Sequence, residues 1–132
     1  MVTDWKNLFK VRIANSSKAM MKHEVVKLIL MIKLLEKYKN KRDWIRIYTE
    51  FELDNGLIPD VYVEDMSNRK NKTAIAYEIQ KKYTKEWLDD RTQKYKDYEV
   101  PFFTSFDWIP IDLSTIPDSI EDIWDKLEEF VF

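Results

Sequence analysis

The chain has 132 residues, long enough for one domain that buries a core. Charged residues make up 35% of it but nearly cancel to a formal net charge of −2, so the overall charge gives no sign of nucleic-acid binding and any basic surface must be local. No cysteine and one histidine exclude disulfides, thiolate metal sites and histidine-rich zinc sites. Any metal would be held mainly by carboxylate oxygens, which favours Mg²⁺ or Mn²⁺.

The longest charge-free apolar run of the first predicted helix, Leu28 to Ile32, is too short to span a bilayer. The first residues lack the pattern of a signal peptide. We therefore expect a cytoplasmic protein with no membrane partner. Because no repeat, linker or low-complexity tract divides the sequence, we expect a single domain over residues 1–132.

The first predicted helix follows an ambiguous N-terminal stretch. Residues 1–16 fit either a helical turn or a strand, and we favour a short strand or arm packed on the core. Asn15, Ser16 and Ser17 then offer a helix N-cap. From about Lys18 to Tyr38, apolar residues recur at steps of three and four, which predicts a helix.

Three predicted strands follow. Residues 44–53 alternate between apolar and polar, residues 58–63 are mostly β-branched or aromatic, and residues 73–80 form a third run after the basic loop 67–72. Asn55-Gly56 joins the first two runs and predicts a hairpin with a type I′ turn, which needs positive φ at both central residues. The sequence therefore predicts a three-stranded meander.

Two acids mark this meander. Asp60 follows Pro59 at the start of the second run, where a missing N–H does least harm, and Glu78 lies near the end of the third. Alternation places Ala74, Ala76, Glu78 and Gln80 on one face of the third run, with Ile75, Tyr77 and Ile79 on the other. Small alanines beside an acid indicate a face on which another group must fit closely.

The remaining sequence predicts a helix capped by Thr84 and reaching about Tyr98. Residues 100–104 and 108–113 predict one or two strands, with Pro110 placing the second at an edge or bulge. A final helix covers about residues 118–131. The order αβββαβ plus a C-terminal helix predicts an α/β (α+β) fold with a central mixed sheet of about four strands, flanked by helices.

This order, with an acid opening the second strand and Glu-x-Gln ending the third, resembles the PD-(D/E)xK nuclease superfamily over roughly residues 17–113. The resemblance extends to the competence-nuclease (CoiA-like) group, whose helix-borne His-x-x-x-Lys is followed by an acid, Glu-x-Gln and Arg-Thr-x-x-Tyr. Here these motifs are His23-Glu-Val-Val-Lys27, Asp60, Glu78-Ile-Gln80 and Arg91-Thr-Gln-Lys-Tyr95. Holliday-junction resolvases share the wider layout. The Glu that usually precedes the His is Lys22 here, and Glu24 stands on the other side.

The resemblance implies a restriction-endonuclease-like core and a metal-dependent deoxyribonuclease, acting as an endonuclease or exonuclease on DNA. Phosphodiester hydrolysis needs positive charge at the scissile group and an activated water. We expect Asp60, Glu78 and the backbone carbonyl of Ile79 to bind Mg²⁺ or Mn²⁺. Gln80 would position the water or the phosphate, and Glu24 or His23 would assist from the helix.

Other residues are candidates for support and for binding DNA. Superfamily members often have Lys where Gln80 stands, and Lys82 would partly substitute for it if the strand continued. The resemblance to resolvases, which look dimeric, also raises a homodimer, which no residue of this chain supports. The expected supporting residues are Lys27, Glu52, Arg91 and Tyr95. The expected nucleic-acid contacts are Arg69, Lys70, Lys72, Lys81 and Lys82.

Structural alternatives stay open for each candidate. Asp60 and Glu78 also fit solvent-facing acids at a sheet edge, and His23 fits a structural role on its helix. The same holds for Arg91 and Tyr95 as packing residues and for the basic loops as solvated surface. At the level of function, the alternative is a catalytically silent relative that binds DNA or a protein partner, because Gln80 replaces the usual lysine and the net charge is near zero.

Overall fold

The computed structural model describes residues 18–96 and 98–131. Within these residues, helix α1 comes first and four strands follow, with α2 between the third and fourth strands and α3 after the last. The helices are α1 (Lys18–Lys37), α2 (Lys85–Lys96) and α3 (Ile120–Leu127), and short 3₁₀ segments cover Lys39–Trp44, Leu113–Thr115 and Glu128–Phe130. The strands are β1 (Ile45–Thr49), β2 (Val61–Asp65), β3 (Thr73–Gln80) and β4 (Ser105–Asp112).

The four strands form one open sheet in the order β1-β2-β3-β4. The β1–β2 and β2–β3 pairs are antiparallel, and the β3–β4 pair is parallel. A parallel neighbour needs a crossover connection, and α2 lies in that connection. The predicted fold class, a mixed sheet of four strands flanked by helices in an α+β chain, is therefore confirmed.

A hydrophobic cluster packs on each face of the sheet. On one face, Val61 and Tyr77 join α1 and α3 residues such as Leu30 and Leu127. On the other face the cluster contains Leu53, Leu57, Tyr62, Ala74, Ala76 and Tyr95. The predicted division of β3 into an alanine face and an isoleucine face is confirmed, because Ile79 and Tyr77 belong to the first cluster and the alanines to the second.

The connection from β1 to β2 differs from the predicted two-residue hairpin. Strand β1 ends at Thr49, and Glu50 has a left-handed backbone with φ of 53°. At the predicted turn, the N–H of Gly56 donates to the Leu53 carbonyl (2.9 Å), and only Gly56 has positive φ among residues 51–60. The I′ assignment is wrong because Asn55 does not take positive φ; a glycine after a type I turn achieves the reversal instead.

Two further boundaries need correction. Residues 100–104 form no strand, because Phe102 has a left-handed backbone with φ of 70°, and β4 begins at Ser105. Helix α2 is capped by the Thr84 hydroxyl, which accepts from the N–H of Trp87 (3.1 Å), as predicted, but it ends at Lys96. The predicted N-terminal arm and the cap at residues 15–17 lie outside the described residues.

The predicted C-terminal helix is present but shorter than the predicted residues 118–131, because α3 ends at Leu127 and a 3₁₀ segment follows. Ser119 accepts a hydrogen bond from the N–H of Asp122 (3.2 Å) and begins α3, which buries Ile123 and Leu127 against α1. Among the helices of residues 18–96 and 98–131, none is sufficiently long and apolar to cross a bilayer.

Candidate functional site

Asp60 and Glu78 face each other at one end of the sheet. Val61 pairs with Tyr77, and the same register continued by one residue sets Asp60 opposite Glu78. Directly opposed residues of antiparallel strands have their side chains on the same face. The backbone N–H of Asp60 donates to the Tyr77 carbonyl (3.0 Å), and Asp60 Oδ2 accepts from the N–H of Ile79 (2.7 Å). Asp60 is thus hydrogen-bonded to the two residues of β3 that flank Glu78.

The two carboxylates act on each other electrostatically. Burial raises the pKa of Glu78 above its ordinary value, the positive charge of Arg91 opposes this rise, and the negative charge of Asp60 adds to it. Two like charges close together favour protonation of one of them unless a cation is present. The pair of acids therefore favours a cation beside it.

Helix α1 brings a histidine to the acids. His23 Nε2 lies 3.0 Å from Asp60 Oδ1, and His23 Nδ1 lies 3.3 Å from Glu24 Oε1. The hydrogen bond to Asp60 raises the pKa of His23 above 6.5, against the effect of burial, and the charges of Asp60 and Glu24 raise it further. His23 therefore favours the imidazolium form and links the helix-borne acid to the strand-borne one.

Lys27 lies one turn further along the same helix face. Its side chain is only 1% exposed, and its Nζ lies 3.0 Å from Glu24 Oε2 and 3.7 Å from Glu50 Oε1. A buried ammonium is stable only beside compensating charge. Lys27 therefore fixes the position of Glu24 from inside the protein.

Glu50 is the residue that sequence reasoning missed. The sequence favours Glu52 over Glu50 as the supporting acid of residues 44–53. Both are exposed in the structure, but it is Glu50 whose Oε1 lies 3.7 Å from Lys27 Nζ. The N–H of Glu50 also donates to the carbonyl of Asp60 (3.3 Å). Its left-handed backbone is uncommon for a residue with a side chain, and such strain clusters at functional sites. No sequence signal marks Glu50. Its place opposite Asp60 depends on how β1 and β2 are paired, and that pairing is set by the geometry of the turn between them.

Helix α2 covers the site from the other side. Arg91 Nε lies 3.2 Å from Glu78 Oε2 in an ion pair without hydrogen-bond geometry. The Arg91 guanidinium carbon lies 5.8 Å from the centre of the Trp87 ring. Burial and the charge of Glu78 raise the pKa of the buried Tyr95, one turn after Arg91. The helix thus brings the Arg91 and Tyr95 side chains of the predicted motif to Glu78.

Several buried polar atoms of the site lack hydrogen-bond geometry. In the described part of the chain, the buried side-chain atoms without a hydrogen-bond partner are Lys27 Nζ, Glu78 Oε2, Arg91 Nε and Tyr95 Oη. Each such atom carries a desolvation cost unless an ion, water or ligand satisfies it. Three of them nevertheless lie in ion pairs, Lys27 Nζ with Glu24 and Arg91 Nε with Glu78 Oε2, so their charges are compensated although their hydrogen-bond geometry is poor.

The predicted nucleic-acid contacts divide between the two ends of the sheet. Gln80 ends β3, and the exposed Lys81 and Lys82 follow it at the same end as the acids. The basic loop of Arg69, Lys70 and Lys72 precedes β3 and so lies at the opposite end, about 17 Å of strand from Glu78 at 3.3 Å per residue. The structure does not bring the loop to the acids.

The donor set fits a hard divalent cation held largely by water. Mg²⁺ in proteins often has only one or two carboxylate ligands, with waters and substrate oxygens completing its coordination. Asp60 and Glu78 supply two carboxylates, and Glu78 Oε2 lacks a hydrogen-bond partner. The N–H of Ile79 points toward Asp60, and in an antiparallel pair the carbonyl of the same residue points to the same side. The Ile79 carbonyl therefore also faces Asp60. No group of three or more His, Cys, Asp or Glu side chains within residues 18–96 and 98–131 is arranged to hold a metal.

Comparison of the chain with protein-family models, with curated protein sequences and with solved structures found no match.

Proposed function

We propose that this chain is a metal-dependent deoxyribonuclease of the PD-(D/E)xK type, with a restriction-endonuclease-like core, that hydrolyses DNA phosphodiester bonds. The observation that carries the proposal is the opposition of Asp60 and Glu78 on neighbouring strands, where the negative charge of Asp60 adds to the effect of burial in raising the pKa of Glu78. DNA is the proposed partner, and the cytoplasm is the proposed location.

The proposed roles follow from the chemistry of each side chain. A divalent cation held by Asp60, Glu78 and the Ile79 carbonyl would supply Lewis-acid polarisation of the phosphate and a water of lowered pKa. The Gln80 amide both donates and accepts hydrogen bonds, so it can orient a water or a phosphate oxygen. In the metal-free protein, His23 holds the Asp60 carboxylate from α1 through its 3.0 Å contact, and an ion that binds Asp60 would replace this contact.

A cleavage assay tests the proposal. Purified protein is incubated with labelled single-stranded, duplex and branched DNA in Mg²⁺, in Mn²⁺ and in EDTA. We expect cleavage that depends on the metal and that falls about 100-fold or more in Asp60→Asn and in Glu78→Gln. Glu121→Gln, which removes one exposed carboxylate from α3, is the matched control and retains wild-type cleavage. Unchanged cleavage in Asp60→Asn and Glu78→Gln would exclude the proposed roles of these carboxylates.

A second candidate function is a catalytically silent module that binds DNA or a protein. The observation in its favour is that both Asp60 carboxylate oxygens already have protein partners, His23 and the Ile79 N–H. Glu78 likewise forms an ion pair with Arg91. Gln80 also replaces a cationic residue. Calorimetric titration with Mn²⁺ separates the candidates, since the nuclease binds the ion through its carboxylates and the silent module shows no heat of binding.

A further inference from the structure

A divalent ion would offset the charges of Asp60 and Glu78, and a basic side chain beside it would hold the anionic substrate. A phosphodiester is an anion, and beside Asp60 and Glu78 it meets two further negative charges. Gln80 cannot supply positive charge. Besides the histidine already hydrogen-bonded to Asp60, the candidates that we compare are Lys27, Lys82, Lys94 and Arg91. The charge of Lys94 acts on Glu78, but Lys94 Nζ pairs with Asp90 Oδ2 at 3.1 Å and not with Glu78.

Lys27 is too deeply buried to contact a substrate. Its side chain is 1% exposed, and its Nζ lies between the Glu24 and Glu50 carboxylates. The positive charge of Lys27 therefore compensates carboxylates of the protein and is not accessible to a substrate. Moving it toward a substrate would separate it from the buried Glu24 carboxylate, at a cost in electrostatic energy.

Lys82 lies on the wrong side of β3. Strand β3 ends at Gln80, and the charge of Lys82 acts on Asp112, the last residue of β4. Strand β4 neighbours β3 on the side opposite β2 and Asp60. The backbone N–H of Tyr83 donates to Asp112 Oδ2 (3.3 Å), so the segment that carries Lys82 lies beside β4 and not beside Asp60.

Arg91 meets both requirements, position and access. Its side chain is 25% exposed, and its Nε lies 3.2 Å from Glu78 Oε2. The ring of Trp87 and a 3.6 Å contact from Nη1 to Asp90 Oδ2 limit its movement. A guanidinium is planar and has donors along more than one edge, so one edge can face a carboxylate while another donates to two phosphate oxygens.

We propose that Arg91 is the phosphate-binding cation of this site and that it contacts the non-bridging oxygens of a DNA phosphodiester from helix α2. The identity of the reaction rests on the function proposed above, whereas the contact between Arg91 and a phosphodiester does not require cleavage. Glu78 and Trp87 hold the guanidinium in place for this contact.

The first experiment measures binding without cleavage. Fluorescence anisotropy in EDTA gives the affinity of the protein for a short labelled oligothymidylate at several salt concentrations. We expect Arg91→Ala to weaken binding about 10-fold and to lower the salt slope by about one. Arg91→Lys keeps the salt slope and loses part of the affinity. Lys96→Ala, which removes one exposed charge from the same helix, stays within about twofold of wild type.

A double variant separates contact from simple neutralisation. In Arg91→Ala the Glu78 charge is no longer opposed, and this alone repels DNA. Glu78→Gln combined with Arg91→Ala removes both charges. If Arg91 contacts phosphate, Arg91→Ala weakens DNA binding by about the same factor in the Glu78→Gln protein as in the wild type. Recovery of the double variant to the affinity of Glu78→Gln overturns the proposal, as does a wild-type protein that does not bind the oligonucleotide.

The second experiment measures single-turnover cleavage at saturating DNA with Mg²⁺ or Mn²⁺. Arg91→Ala is expected to cleave about 100-fold or more slowly than Lys96→Ala, and added guanidinium ion to restore part of the rate. Equal rates in the two variants contradict the role of Arg91. A wild-type protein that binds DNA through Arg91 and cleaves none of the DNA substrates defeats the proposed nuclease function while the Arg91 contact stands. Circular dichroism of each variant confirms that it is folded.

Discussion

His23 lies between two carboxylates, and this position controls its charge. The hydrogen bond with Asp60 favours the protonated ring, and the charges of Asp60 and Glu24 reinforce it against burial. A group whose pKa is raised on folding stabilises the protein below its unfolded pKa. That contribution is lost as pH rises through the folded pKa.

The first prediction concerns the titration of this residue. Since the chain contains one histidine, its ring resonances in an NMR titration are unambiguous. We expect a pKa above 6.5 in the metal-free protein and a lower value in Asp60→Asn. The free energy of unfolding should fall as pH rises from below 6.5 through the measured value, and less so in His23→Gln. An identical histidine pKa in wild type and Asp60→Asn would contradict the contact.

The second prediction concerns the buried lysine. Lys27→Met leaves the buried Glu24 beside a side chain that cannot compensate its charge. We expect a loss of about 3 kcal/mol in the free energy of unfolding, measured by urea denaturation. Adding Glu24→Gln to Lys27→Met should recover part of the loss. Lys96→Met, at an exposed position, is the control and should change stability by about 0.5 kcal/mol or less.

At the scale of elements, the β1–β2 connection decides which acid reaches the site. A two-residue loop at Asn55-Gly56 would pair Thr49 with Tyr62, whereas Thr49 pairs with Val61. The observed loop has one residue more than the predicted two-residue loop, as is usual for hairpins in which a left-handed glycine follows a type I turn. This shift of one residue brings Glu50 opposite Asp60.

The third prediction tests that turn. Gly56 has φ of 84°, and a methyl group added there meets nothing within 4 Å. Gly56→Ala therefore incurs only the cost of a left-handed backbone, about 1 kcal/mol of unfolding free energy. Gly56→Asn should cost less, because asparagine tolerates this conformation better. An equal loss in both variants, measured by thermal denaturation, would contradict the backbone explanation.

The elements that the sequence predicts well are those fixed by local periodicity. Strand β3 and its two faces follow from alternation over Thr73–Gln80, and α1 follows from its apolar steps over Lys18–Lys37. The left-handed backbone of Phe102, which prevents a strand there, could not be predicted, because it lies in a loop without a periodic sequence signal. The role of Glu50 could not be predicted either, because strand register depends on turn geometry that Asn-Gly alone does not specify.

At the scale of the whole molecule, the sheet separates two helix layers that meet at the site. Helix α1 reaches the end of the sheet with His23, and α2 reaches it from the alanine face with Arg91. Each helix contributes positive charge to a pair of acids on β2 and β3. The partners of Asp60 and Glu78 in the metal-free protein are thus basic side chains from two independent layers, and an ion that binds both carboxylates must compete with them.

The last prediction follows from this competition. An ion that binds the folded protein and not the unfolded chain stabilises it by about 2.7 kcal/mol at 100 times its Kd. Saturating Mn²⁺ should therefore raise the Tm by several degrees, measured by scanning calorimetry. The rise should vanish in Asp60→Asn and in Glu78→Gln and persist in Glu121→Gln, which keeps both carboxylates. His23→Gln should bind Mn²⁺ more tightly than wild type, because the ion no longer displaces the imidazolium from Asp60; weaker binding by this variant would mean that His23 assists the ion rather than competing with it.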